Sequence, residues 1–177
     1  MIPGFEDKVH WARALPFFLG AVLLQNTVAP APWLLGARFD LLLVLTLGWA
    51  LVRSCEEAMV AALPAALLTG MLGTAPIGAP ILELLPPIAL ALAIRNGNPN
   101  PRLLAVCVAM AVSSFVALGI ELILRFLNGE QAINIAGLVT VVAGETVLNV
   151  LVAAVFYKPL CIGRTRTLVR RTGLSLS

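Results

Sequence analysis

Four acids stand inside otherwise apolar stretches of this sequence: Asp40, Glu83, Glu121 and Glu145. A charge at the centre of a bilayer costs about 2.5–3.5 kcal/mol or more, so a carboxylate within an apolar run needs a reason. Glu145 falls near the middle of the last such run. Asn149 follows one turn later on the same helical face, and Gly144 opens space beside them. Two chemistries fit that pair. It can be a structural clamp, hydrogen-bonded to a neighbouring helix, or it can line a ligand or ion cavity at the midplane. Proton-coupled transport through Glu145 would call for a second midplane ionisable group, and the sequence offers none. Glu83 sits about two turns below the outer end of the fourth run. Glu121 precedes Arg125 by four residues, the favourable order for a helical ion pair, and reads as an interfacial pair. Asp40 opens the second run, and is expected at its outer end.

Other reactive groups are sparse. His10 is the one histidine, in the N-terminal segment, where it reads as a solvated interface residue. No Ser-His-Asp set, His/Cys cluster or Gly-rich phosphate loop is present. Cys55, Cys107 and Cys161 lie too far apart in sequence for a metal or redox motif. Gly70, Gly73 and Gly78 are spaced as packing and turn glycines. The expectation is a protein that is not an enzyme and carries no metal or cofactor.

The elements that must position these residues follow from composition. Of 177 residues, 60% are hydrophobic and 12% charged, with a net charge of +3. Ordinary soluble domains run about 45–50% apolar and about 25% charged. The balance excludes a disordered chain, a typical water-soluble domain and a nucleic-acid binder, which needs a dense basic face. What remains is an all-α polytopic membrane protein.

Cut at charges and at Pro/Gly clusters, the apolar runs cover about 14–29, 39–53, 58–75, 77–94, 103–127 and 132–157. They predict six transmembrane helices in a single domain over 1–160, followed by a basic tail, 161–177. The second and third runs are short for a span, which predicts local thinning or snorkelling by Arg38 and Arg53. With six spans and both termini cytoplasmic, the inside holds Lys8, Arg13, Arg53, Arg95, Arg102, Lys158, Arg164, Arg166, Arg170 and Arg171. The outside holds only Arg38 and Arg125, a strong positive-inside bias. Trp11, Trp33 and Tyr157 fall near the expected interfaces. A cleaved signal at Val28-Ala29-Pro30-Ala31 is the competing reading, but Glu6 and Asp7 spoil its n-region.

Within the runs, Pro64, Pro86 and Pro87 each remove a backbone donor and free a carbonyl one turn back. Pro86-Pro87, one turn after Glu83, predicts a kinked or unwound fourth helix turned away from lipid. Ala61/Ala65, Ala62/Ala66 and Ala105/Ala109/Ser113 stack at i+4 as small faces for close helix contact. Lys158, Arg164, Arg166, Arg170 and Arg171 form a basic tail without an acid. Near an anionic leaflet each charge is worth about 1 kcal/mol, which predicts headgroup anchoring.

Several segments resemble the rod shape-determining protein MreD family. Leu23-Leu24-Gln25-Asn26-Thr27 matches its first span, and Arg38-Phe39-Asp40-Leu41-Leu42-Leu43 its second-span opening. Gly70-Met71-Leu72-Gly73-Thr74-Ala75-Pro76-Ile77-Gly78 resembles the Gly-rich close of the third. Asn149 and Tyr157-Lys158-Pro159-Leu160 resemble the closing segment. Phe39 replaces the usual proline, and the Gly-rich segment is shorter and lacks the acid often found there, so no role for that acid transfers. Coverage is roughly two thirds of the chain, thin from Asn96 to Ala143.

The resemblance implies the fold of the substrate-binding subunits of energy-coupling-factor vitamin transporters. It also implies a non-enzymatic scaffold in the bacterial inner membrane, serving cell-wall elongation and rod shape. The implied partner is the single transmembrane helix of MreC. A glycosyltransferase, a transpeptidase and the MreB filament belong to the wider complex, through which homo-oligomers could also form. Asp40, Pro76 and Gly78 are then expected to support folding or partner contact. The alternative is a substrate-binding subunit of a small-molecule, vitamin-type importer, motivated by Glu83, Glu121, Glu145 and Asn149.

Overall fold

The computed structural model describes residues 8–28, 39–73, 78–97, 101–129 and 140–157. These residues are helical, joined by turns, with no strand among them. The helices are α1 (Lys8–Val28), α2 (Leu41–Val52), α3 (Cys55–Leu72), α4 (Ala79–Leu82), α5 (Leu85–Gly97) and α6 (Leu103–Leu127). A last helix, α7, covers Thr140–Tyr157. Four stretches are long and apolar enough to cross a membrane: Cys55–Leu72, Ala79–Gly97, Leu103–Leu127 and Thr140–Tyr157. They mark a membrane protein. Ala14–Thr27 and Leu41–Val52 are shorter apolar helices.

Helix bounds follow capping more than hydropathy. The separator Arg53–Glu57 was expected to lie outside the third helix, yet α3 begins at Cys55. Ser54, in extended backbone, accepts the Glu57 N–H through Oγ at 3.0 Å. Glu56 and Glu57 then fall in the first turn, where the helix dipole favours acids. Charged residues thus start the helix instead of delaying it. α3 runs on through Pro64, which is exposed and so need not disturb packing. The fourth apolar run breaks in two at Glu83–Leu84, immediately before Pro86-Pro87.

α2 occupies the centre. Ten of its twelve residues are buried, whereas the longer helices keep broad exposed apolar faces. One side of α2, with Leu43, Leu47 and Leu51, packs on Ala91 of α5, Val106 and Met110 of α6, and Ala153 of α7. Leu42 faces the other cluster, where Ala14, Phe18 and Val22 of α1 meet Ala61, Ala62, Ala65 and Ala66 of α3. Those four alanines are fully buried, so the small-residue face brings α1 and α3 together. Trp49 joins the three helices. Its ring lies 6.2 Å from Phe18, edge-on, and its Nε1–H points to Glu57 Oε2 at 3.4 Å.

A twelve-residue helix is about 18 Å long, well short of a hydrocarbon core of about 30 Å. Both ends of α2 are closed by other helices, while Arg38, expected with Arg53 to snorkel, lies outside the described residues. At the C-terminus, Arg95 of α5 donates from Nη1 to the carbonyls of Ala50 and Arg53, each at 2.8 Å. The Arg53 N–H closes on the Trp49 carbonyl at 2.8 Å. A guanidinium at a helix C-terminus also opposes the dipole. At the same level Tyr157 of α7 donates its hydroxyl to the Pro101 carbonyl, at 3.0 Å.

Arg95→Ala should therefore destabilise the bundle by about 2 kcal/mol, the cost of hydrogen bonds from a charged donor. Lysine at this position should recover only part of it, because it lacks the guanidinium's planar fork. Thermal unfolding of the detergent-solubilised variants, with Arg102→Ala as an exposed control, measures both.

Candidate functional site

The N-terminus of α2 gathers polar side chains from four helices. Asp40 sits in extended backbone and accepts the Leu43 N–H on Oδ1 at 3.1 Å, as an N-cap should. The Leu42 N–H is also directed at the Asp40 carboxyl, which leaves two donors, those of Asp40 and Leu41, ahead of the first helical bond, in which Val44 donates to the Asp40 carbonyl. The Asp40 N–H donates to Asn149 Oδ1 of α7 at 2.7 Å. The Leu41 N–H donates to Gln25 Oε1 of α1 at 3.0 Å. Asn149 is held in turn by its Nδ2, which donates to Ser114 Oγ of α6 at 3.1 Å. Asn149 and Ser114 are buried.

The depth of this network corrects the sequence reading of Asp40. An outer-end position was expected, but Asn149 lies midway along α7 and Ser114 near the middle of α6. Asp40 is thus at mid-bundle, and α2 begins there as a half-length helix. The sequence could not supply this, since the depth of a helix end depends on its neighbours and not on its own hydropathy.

The remaining acids gather near this point. Glu83 occupies the break between α4 and α5, within electrostatic reach of Asp40, Glu121, Arg125 and Glu145. Glu121 pairs with Arg125, which donates from Nη2 at 2.7 Å and from Nε at 3.0 Å. The pair has the expected i,i+4 form, with both side chains about one-third exposed (33% and 29%). Glu145 lies one turn ahead of Asn149 on α7. Acids from separate stretches of sequence therefore share one region. Among the described residues, no three of His, Cys, Asp and Glu come close enough to hold a metal ion.

Pro86 and Pro87 stand in the first turn of α5, where a missing N–H does least harm. Gly78 caps α4 in ordinary right-handed backbone, and a Cβ there would meet nothing within 4 Å. Packing within this chain does not demand glycine at that position. Pro76, Arg38, Lys158, Arg164, Arg166, Arg170 and Arg171 lie outside the described residues. Ser114 and Arg95 were missed as site and anchor residues. Ser114 had one legible signal, a polar residue pair, Ser113-Ser114, midway along an apolar run.

Beside the network runs an apolar groove between α1, α2 and α7, of about 190 Å³. Gly20 and Ala21 lie along it, among Phe17, Leu24, Leu45 and Phe156. A Cβ on Gly20 would meet nothing within 4 Å.

Comparison with known protein families, with characterised proteins and with solved structures finds no match.

The network positions helices: its donors and acceptors join α1, α2, α6 and α7 at one point. Asn149→Leu keeps the branched shape of the side chain but removes the acceptor of the Asp40 N–H. A buried donor left unsatisfied costs about 1–3 kcal/mol. Thermal unfolding should show that loss for Asn149→Leu and almost none for Val147→Ala, whose side chain is exposed on the same helix.

Proposed function

We propose that this protein is a membrane scaffold of the bacterial cell-wall elongation complex, similar to MreD. On this reading the chain crosses the inner membrane six times with both termini cytoplasmic, in the fold of vitamin-importer substrate-binding subunits. It holds the single transmembrane helix of an MreC-like partner, and helps regulate peptidoglycan synthesis and cell shape without chemistry of its own. The glycosyltransferase, transpeptidase and MreB-like filament join directly or through that partner.

One observation carries the reading. The segments resembling the MreD family are far apart in sequence, yet Gln25 of the first, Asp40 of the second and Asn149 of the last meet at one helix end. A resemblance spread over unrelated surface positions would have no such physical reason. The joint places α1, α2 and α7 around the apolar groove. Gly20 and Ala21 leave room for the close backbone approach by which transmembrane helices associate, with Phe17 and Phe156 beside them. The partner helix docks in this groove.

The test is recovery of partners with the tagged protein from its native membrane in mild detergent, read by mass spectrometry. An MreC-like single-span protein and wall-synthesis enzymes are expected. Gly20→Trp puts a bulky side chain at the groove, at a position where an added Cβ meets nothing within 4 Å, and should cut partner recovery about tenfold, equivalent to about 1.4 kcal/mol. Recovery of a membrane coupling subunit with two ATPases would overturn the scaffold in favour of an importer. Undiminished partner recovery with Gly20→Trp would move the docking site off the groove.

A further inference from the structure

Asn26 carries hydrogen-bonding capacity that its own helix does not use. It follows Gln25, whose side chain reaches the start of α2, so it stands level with the middle of α6 and α7. Its side chain is nevertheless exposed. One Nδ2 hydrogen goes to the Val22 carbonyl, at 2.9 Å. The second hydrogen and Oδ1 meet no partner among the described residues. Thr27 beside it differs, because its hydroxyl donates to the Leu23 carbonyl within the helix, at 2.7 Å. Hydrocarbon answers neither free group of the amide, so Asn26 favours a protein partner at this level. The apolar groove cannot supply one. Successive residues of a helix turn by about 100°, which puts Asn26 on the far side of α1 from Leu24, a lining residue of the groove. Asn26 instead shares its side with Leu23, which is exposed, and with Leu19, which is half-buried against the α1–α3 contact.

We propose that this face of α1 is where two copies of the chain pair, each Asn26 donating from Nδ2 to Oδ1 of the partner's Asn26. A carboxamide is its own complement, since it offers one donor and one acceptor side by side. Two copies inserted the same way in one membrane bring the same residue to the same depth, and a two-fold axis along the membrane normal sets the two amides against each other. An unrelated helix would need a polar side chain at that depth by coincidence. Asn is among the residues that join transmembrane helices by hydrogen bonds across the contact, and a single buried Asn also fixes the alignment of the two helices. Exposed Leu23 lies beside the amide, and α3, on which α1 packs, adds exposed Leu67 and Met71 to the apolar surface of this pair of helices. The groove lies on the other side of α1 and stays open in the dimer. Pairing and partner docking are therefore separate properties, and either can fail without the other.

A spin label at Leu23→Cys reports the pairing, because each copy then carries one label and any distance is between copies. Cys55, Cys107 and Cys161 are first replaced by alanine, and the full chain is reconstituted in lipid vesicles. Electron–electron measurements should show a short distance for Leu23→Cys. A label at exposed Val108→Cys on α6 should give a longer one, since α1 and α6 pack on opposite sides of α2. Titration of the lipid-to-protein ratio gives the dissociation constant. Asn26→Leu should raise it about tenfold, and Asn26→Gln, which keeps the amide, should recover most of that loss. The fold is not at stake in either variant, because the side chain is exposed and bonds only within its own helix. A parent protein that stays monomeric at every ratio would overturn the proposal. So would a dimer in which the Val108→Cys labels lie closer than the Leu23→Cys labels, or an Asn26→Leu protein that pairs as tightly as the parent.

Discussion

A backbone N–H with no water to receive it must find an acceptor in the protein, and at the start of α2 that requirement organises the bundle. The helix begins level with the middle of α6 and α7, so the donors of its first turn face side chains of other helices. Leaving one unpaired would cost about 1–3 kcal/mol. Asp40 answers the Leu43 donor itself, but cannot answer its own N–H or that of Leu41. Asn149 and Gln25 take those, from α7 and α1. Ser114 fixes Asn149 and so brings in α6. Relations among four helices are therefore set at one point, by the geometry of a single helix end.

The other features follow from that placement. A helix of about 18 Å that starts at mid-bundle is long enough to cover half of a core of about 30 Å, and Arg95 closes its far end on the Ala50 and Arg53 carbonyls. With both ends satisfied from within, α2 can be buried on nearly all sides, leaving the outward faces to the long helices. Those faces carry exposed Leu104, Phe115, Phe126 and Val155, as suits contact with lipid or a partner helix. Above the start of α2 the acids and Arg125 collect around the interrupted span. Polar chemistry is thus concentrated at the helix ends and breaks that need it.

Local signals in the sequence were readable where the physics is local. The Glu121–Arg125 pair follows from helical spacing, and the buried alanines of α3 from their i+4 stacking. Ser54 and Glu57 form a cap, although the charged stretch from Arg53 to Glu57 reads in the sequence as a separator. Depth was not legible. Asp40 has the same sequence neighbours whether its helix starts at a surface or at mid-bundle, and only packing against α6 and α7 decides. Gln25 was visible within a family-like segment, yet its partner Leu41 is set by tertiary structure. Arg95 looked like one positive-inside charge among ten, because nothing local marks the carbonyls it reaches.

The most direct measurement is residue-resolved amide hydrogen exchange at Asp40 and Leu41 in the lipid-embedded protein. Both precede the first intrahelical bond, so at an ordinary helix N-terminus they would exchange quickly. Capped by Asn149 and Gln25, they should be as well protected as amides in the middle of α2. Asn149→Leu should open Asp40 more than Leu41. Rapid exchange at both positions in the parent protein, at the rate of exposed loop amides, would contradict the account.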